Sequence, residues 1–98
     1  MKTNNQKYIF RGDRSGVFFG TLLEKNGSEV KIGNCRRLWY WDGACSLSEI
    51  AKIGTVSPEN CKFTVTVDEL TILDCIEIIP CTNIASEVLE GVKEWKRS

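Results

Sequence analysis

From Tyr8 to Ile79 much of the chain alternates between apolar and polar positions with a period of two, the spacing of strands that bury one face. Tyr8–Arg11 reads as a first strand with Tyr8 and Phe10 on one face, followed by a turn through Gly12-Asp13-Arg14-Ser15-Gly16. Val17–Lys25 reads as a second strand. Gly20 inside it calls for a bulge or a close approach by another backbone. Asn26-Gly27 is a strong hairpin signal leading into a third strand, Glu29–Ile32. Gly33-Asn34 is expected to turn again, so that Cys35–Trp41 makes a fourth strand.

The period then changes. Ser46-Leu47-Ser48-Glu49 matches a capping box, and the spacing predicts a short helix from about Leu47 to Ile53, with Leu47, Ile50 and Ala51 on its apolar side and Gly54 as its stop. Ser57–Asn60 is loop. Cys61–Val67 alternates again, with Cys61, Phe63, Val65 and Val67 facing one way, and Leu70–Leu73 and Cys75–Ile79 continue the strand pattern up to Pro80. Thr82 or Asn83 can cap a last helix running to about Lys96, because Ile84, Ala85, Val88, Leu89, Val92 and Trp95 recur at helical spacing. The expected fold is α+β: an antiparallel meander of about six strands with one short inserted helix and a C-terminal helix.

Length and charge narrow the picture only modestly. The 98 residues suit a single small domain over 1–98, with 1–6 flexible, and such a chain gains stability from oligomerisation. Thirteen Lys+Arg balance thirteen Asp+Glu, so nothing global favours duplex nucleic acid or a membrane surface. Met1–Lys7 is polar and lacks the apolar run of a secretory signal, and no segment has the length of a membrane span. These features point to a cytoplasmic chain.

Histidine is absent, which removes the commonest general base. The five cysteines, Cys35, Cys45, Cys61, Cys75 and Cys81, form no C-x-x-C pair, so neither a metal site nor a disulfide framework is expected. They read as packed thiols, although Cys45 and Cys81 each precede a predicted helix, where a thiolate is favoured. Asp68-Glu69 and Asp74/Glu77 are carboxylate pairs without a partner group, and strand ends commonly carry such acids. Arg11-Gly12-Asp13 matches an adhesion tripeptide by chance; its local meaning is an arginine leading into a glycine-bearing turn that can offer N–H groups to an anion. No catalytic residue and no cofactor is expected.

The run Arg36-Arg37-Leu38-Trp39-Tyr40-Trp41-Asp42-Gly43-Ala44 carries the most chemistry. As a strand it places Arg37, Trp39 and Trp41 on one face and Arg36, Leu38 and Tyr40 on the other. A guanidinium beside two indoles suits a flat anionic ligand, because indoles stack on bases and arginine forks onto phosphate. The same residues also suit a subunit interface or the underside of a helix, and the two readings meet if a pocket forms between subunits. The candidate ligand set is Arg11, Ser15 and Gly16 from the turn, Phe18 beside it, and Arg36, Arg37, Trp39 and Trp41.

Gly16-Val17-Phe18-Phe19-Gly20, the Arg36–Ala44 run followed by Ser46-Leu47, and Ile76-Glu77-Ile78-Ile79-Pro80-Cys81-Thr82 together resemble a family of small, mostly uncharacterised proteins of tailed bacteriophages. That resemblance implies a location in the cytoplasm of the infected host. It also implies an accessory role against host defence: a homo-oligomeric sponge that binds a nucleotide signal, of the cyclic oligonucleotide or cyclic ADP-ribose type, without cleaving it. The alternative is a protein-interaction module, inhibiting a host protein or serving as a minor structural component, with no small ligand.

Overall fold

The computed structural model describes residues 6–97. In chain order the elements are β1 (Tyr8–Gly12), β2 (Val17–Asn26), β3 (Glu29–Tyr40), α1 (Leu47–Ile53), a 3-10 turn at Pro58–Asn60, β4 (Lys62–Phe63), β5 (Val67–Ile72), β6 (Cys75–Pro80) and α2 (Asn83–Gly91). The strands form one six-stranded sheet whose described pairings are all antiparallel, in the order β4-β3-β2-β1-β6, with β5 also on β3. The α+β meander with an inserted and a C-terminal helix is therefore the fold. Most of the stretch 1–6 expected to be flexible lies outside the described residues; Gln6, at its end, donates from Nε2 to the Cys81 carbonyl at 2.8 Å.

Alternation along the strands sorts the core into two clusters. Ile9, Phe19 and Leu38 pack with Ile50 and Ala51 of α1 and Ala85 and Leu89 of α2. Phe10, Phe18, Val30, Ile32, Cys35 and Ile72 form the other cluster. The sheet curls to bury this second set. β5 lies on the outer edge of β3 and β6 on the outer edge of β1, yet only Leu73 and Asp74 join them. Three residue steps reach about 11 Å, whereas four strand spacings of a flat sheet would separate β5 from β6 by about 19 Å. The connection is tied to both neighbouring turns, by Cys75 N–H to the Ser28 carbonyl (3.0 Å) and Asp13 N–H to the Asp74 carbonyl (2.8 Å).

Several boundaries differ from the pattern-based expectation. Gly33-Asn34 does not turn: β3 runs unbroken from Glu29 to Tyr40. Asn34 takes a left-handed φ of 45° and the ladder slips between Phe19 and Thr21, so the extra residue is absorbed as a bulge opposite Gly20. Gly20 is glycine because a β-carbon there would stand 2.6 Å from the Gly33 carbonyl oxygen. The bulge also switches side-chain parity. Val30 and Ile32 share a cluster with Cys35, which leaves Arg36 and Leu38 facing the helices.

The strand expected over Cys61–Val67 is broken. Thr64 interrupts it by using its own hydroxyl, which accepts from Arg37 N–H at 2.9 Å, while Thr64 N–H donates to the Arg37 carbonyl at 3.0 Å. Of the four residues expected to share a buried face only Phe63 is fully buried; Val65 and Val67 are exposed. β5 therefore begins at Val67 and ends at Ile72, not over the expected Leu70–Leu73.

The inserted helix occupies Leu47–Ile53 as the spacing predicts, with Ser46 accepting from Glu49 N–H and the Glu49 carboxylate accepting from Cys45 N–H. The last helix starts at its Thr82 cap but stops at Gly91, short of the expected Lys96. Beyond it the chain is bridged in parallel to β4, with Phe63 opposite Glu94 and Trp95 N–H donating to the Phe63 carbonyl at 2.8 Å. Trp95 is thus a sheet-edge residue rather than the end of a helical stripe.

Candidate functional site

The glycine-bearing turn between β1 and β2 does gather anion donors, and they hold an anion of the chain itself. Arg14 N–H and Ser15 N–H donate to Asp74 Oδ2 at 2.7 and 3.0 Å, and the Ser15 hydroxyl donates to Asp74 Oδ1 at 2.6 Å. The Ser15 hydroxyl, followed by Arg14 N–H, holds the Asp74 carboxyl below the usual carboxylate range. Gly12 leaves the room for this, since a β-carbon on it would run into Ser15 Oγ and crowd Asp74 Oδ1. Arg11 faces its cross-strand partner Glu77 at 3.7 Å with both side chains exposed. Arg11 and Ser15 of the predicted ligand set therefore already have carboxylate partners.

Arg36 is also committed. The bulge turns it toward the helices, where it is 4% exposed. Its Nη1 donates to the carbonyls of Leu89 (3.0 Å) and Val92 (2.9 Å), and its Nε to that of Thr64 (3.1 Å). The last carbonyls of α2 have no partner within the helix, and a cation there also meets the negative end of the helix dipole. Burial pulls the Arg36 pKa below its ordinary value, opposed by the charge of Glu94. A guanidinium held this way is a structural clamp, and phosphate binding would require it to abandon these carbonyls.

Phe18 is fully buried, so it presents no face to a ligand. It instead supports Arg37, whose guanidinium lies 4.8 Å from the Phe18 ring centre and reaches the exposed side of β3. Gly16, at φ 116°, lies next to the Arg37 side chain; a β-carbon on it would stand 4.0 Å from Arg37 Nε.

The two tryptophans expected on one face part company. β3 ends at Tyr40, and Trp41 turns in, half-buried against the helix-side core. The loop that follows is fastened by the Thr55 hydroxyl, which donates to the Asp42 carbonyl. Trp39 remains 59% exposed and meets Trp95, which is 45% exposed, with ring centres 5.0 Å apart and planes tilted by 36°. Lys62 Nζ lies 5.9 Å from the Trp39 ring and 5.3 Å from the Trp95 ring. The result is an open ledge of two indoles and an ammonium, with Arg37 two residues along β3 from Trp39. Beside it, a shallow groove of about 450 Å³ has Glu59, Cys61, Val92, Lys93, Glu94 and Trp95 in its lining.

Trp95 and Lys62 are the members that sequence reasoning missed. Trp95 fell on a helical stripe, and Lys62 looked like the solvent side of an ordinary strand. A usable signal was the glycine at position 91, which ends α2 and frees Trp95 to reach the sheet. The thiols are packed as expected at Cys35 and Cys81, where burial pushes the pKa up to about 12 and about 11.

The family described as Domain of unknown function (DUF6948) matches residues 5–89. No curated protein and no solved structure matches the chain.

Proposed function

The chain belongs to the DUF6948 family, and we propose that it is a non-enzymatic accessory protein of a tailed bacteriophage that binds a host nucleotide immune signal and withholds it intact. The ligand is a cyclic oligonucleotide or a cyclic ADP-ribose derivative, and the protein acts in the cytoplasm of the infected cell. The observation that carries this reading is the exposed pair Trp39 and Trp95 beside Lys62 and Arg37. Indole faces stack on bases and the two cations attract phosphate. Of the ligand set read from the sequence, Arg37 and Trp39 keep that role. Arg11, Ser15, Gly16, Phe18, Arg36 and Trp41 position the scaffold around them.

A non-catalytic role agrees with the state of the buried thiols. Cys35 and Cys81 stay protonated at neutral pH and make poor nucleophiles. Because the ledge is open, a second copy of the chain completes the enclosure that slow release requires.

That same openness favours a second reading, a protein-interaction module. Tryptophan and arginine dominate interface hot spots, and a solvent-facing ledge fits a broad partner.

Thermal melting against cyclic dinucleotides, cyclic trinucleotides and ADP-ribose derivatives separates the two. A ligand at about 100 times its Kd adds about 2.7 kcal/mol, which raises the melting point of a domain this size by about 10 °C or more. The expected result is such a shift with one ligand class, recovery of that ligand unchanged, and loss of the shift in Trp39→Ala. No shift across the panel, together with a stoichiometric complex with a host protein, would establish the second reading instead.

A further inference from the structure

The balanced total charge hides a segregation along the fold. Between Val67 and Pro80 the chain carries Asp68, Glu69, Asp74 and Glu77 and no lysine or arginine. The groove beside the ledge is mixed, with Glu59, Lys93 and Glu94 in its lining, and Arg37 and Lys62 are the cations placed beside the indoles. These cations are interleaved with the indoles. On β3, Arg37 and Trp39 are two residues apart and share a face. Lys62 of β4 stands within 5.9 Å of both ring centres.

The indole pair also restricts how a ligand stacks. Ring centres 5.0 Å apart leave no slot between the rings, because a base inserted between two aromatic planes needs about 7 Å. Bases must use the outward ring surfaces. A single base engages one indole; a ligand with successive bases joined through phosphates uses both, its backbone running past the cations. Both indoles of a single copy are exposed, so a strand can continue past the ledge when no second copy covers it.

We propose a further binding activity: the Trp39–Lys62–Trp95 ledge, flanked by Arg37, binds linear single-stranded nucleic acid. This rests on the reading above that the ledge takes a base-and-phosphate ligand, and it extends that ligand to an open strand of several nucleotides. Recognition is by stacking and backbone charge, and so is tolerant of sequence.

The test is a titration of indole fluorescence in the full chain with a twelve-residue oligothymidylate, beside cyclic diadenylate and ADP-ribose. The expected result is quenching by the oligonucleotide. With about two phosphates neutralised, affinity falls roughly 7-fold between 50 and 200 mM salt. Trp39→Ala and Lys62→Ala, checked for an unchanged melting curve, each weaken oligonucleotide binding at least roughly tenfold, as expected for the loss of one stacked base. Quenching by cyclic diadenylate or ADP-ribose but not by the oligonucleotide overturns this inference and leaves the proposed function standing. Absence of binding by all three probes overturns this inference, and the full melting panel then decides the proposed function. Oligonucleotide binding that is unchanged in Trp39→Ala and Lys62→Ala also overturns it, because the site is then elsewhere.

Discussion

The guanidinium of Arg36 donates to the main-chain carbonyl of Val92 at 2.9 Å, so β3 holds the end of the last helix across 56 positions of sequence. With the bond to Leu89 it caps α2 from outside the helix, and it sets the point from which the chain crosses to the sheet and delivers Trp95 to the ledge.

Arg36→Ala is expected to lower stability by about 3 kcal/mol, since it strands buried carbonyls that accept charge-assisted bonds. Arg36→Lys recovers only part, because an ammonium lacks the planar fork that reaches Leu89, Val92 and Thr64 together. Urea unfolding measures both. Equal stability of Arg36→Ala and the parent would show that the clamp is dispensable.

Trp39→Ala and Trp41→Ala are expected to diverge. Trp41 packs against the helix-side core, so its truncation costs about 2 kcal/mol or more. Trp39 is exposed, so its truncation changes stability by less than about 0.5 kcal/mol. Thermal melting of the two variants side by side checks the difference; a reversed order would place Trp41 in solvent and Trp39 in the core.

Acid should loosen the turn at Ser15. The Asp74 carboxyl is held below its ordinary value in the fold, so its contribution is present above the unfolded aspartate pKa of about 3.9 and is lost as pH falls through the lower folded value. Asp74→Ala is expected to be less stable than the parent at neutral pH and to converge with it in strong acid. A constant gap between the two curves down to the lowest pH would assign the loss to something other than the charged carboxylate.

Gly20→Ala is expected to cost about 2 to 3 kcal/mol, because the new β-carbon meets the backbone oxygen of Gly33, which cannot swing aside as a side chain does. Gly91→Ala has open space at the same position and is expected to be tolerated. Denaturant midpoints of the two variants make the comparison.

Alkylation should reveal the packing of the thiols. At about pH 8 exposed Cys45 is expected to react promptly, while Cys35 and Cys81 react only after unfolding, being buried and protonated. Peptide mass spectrometry after a short pulse identifies the labelled residues.

Local pattern was enough for most elements. The Asn26-Gly27 hairpin, the capping box at Ser46 and Glu49, the Thr82 cap, the close approach at Gly20 and the shared face of Tyr8 and Phe10 all depend on neighbours in sequence or on backbone geometry written into single residues. Contacts between distant segments settled the rest. Whether Gly33-Asn34 reversed the chain or bulged depended on β2 being long enough to pair with both halves of β3, and that bulge determined which arginine faced inward. Anion donors at Ser15 were legible, but their occupant, Asp74, lies 59 positions away. Trp95 could not be assigned to the ledge because its periodicity agreed equally well with a longer helix. Burial of Arg36 against the carbonyls of α2, and the bridge from Phe63 to Glu94, ended that helix instead. Periodicity reports which side of an element is apolar; it carries no information about which distant backbone will satisfy a polar group once water is excluded, and that satisfaction separated the buried arginine from the exposed one.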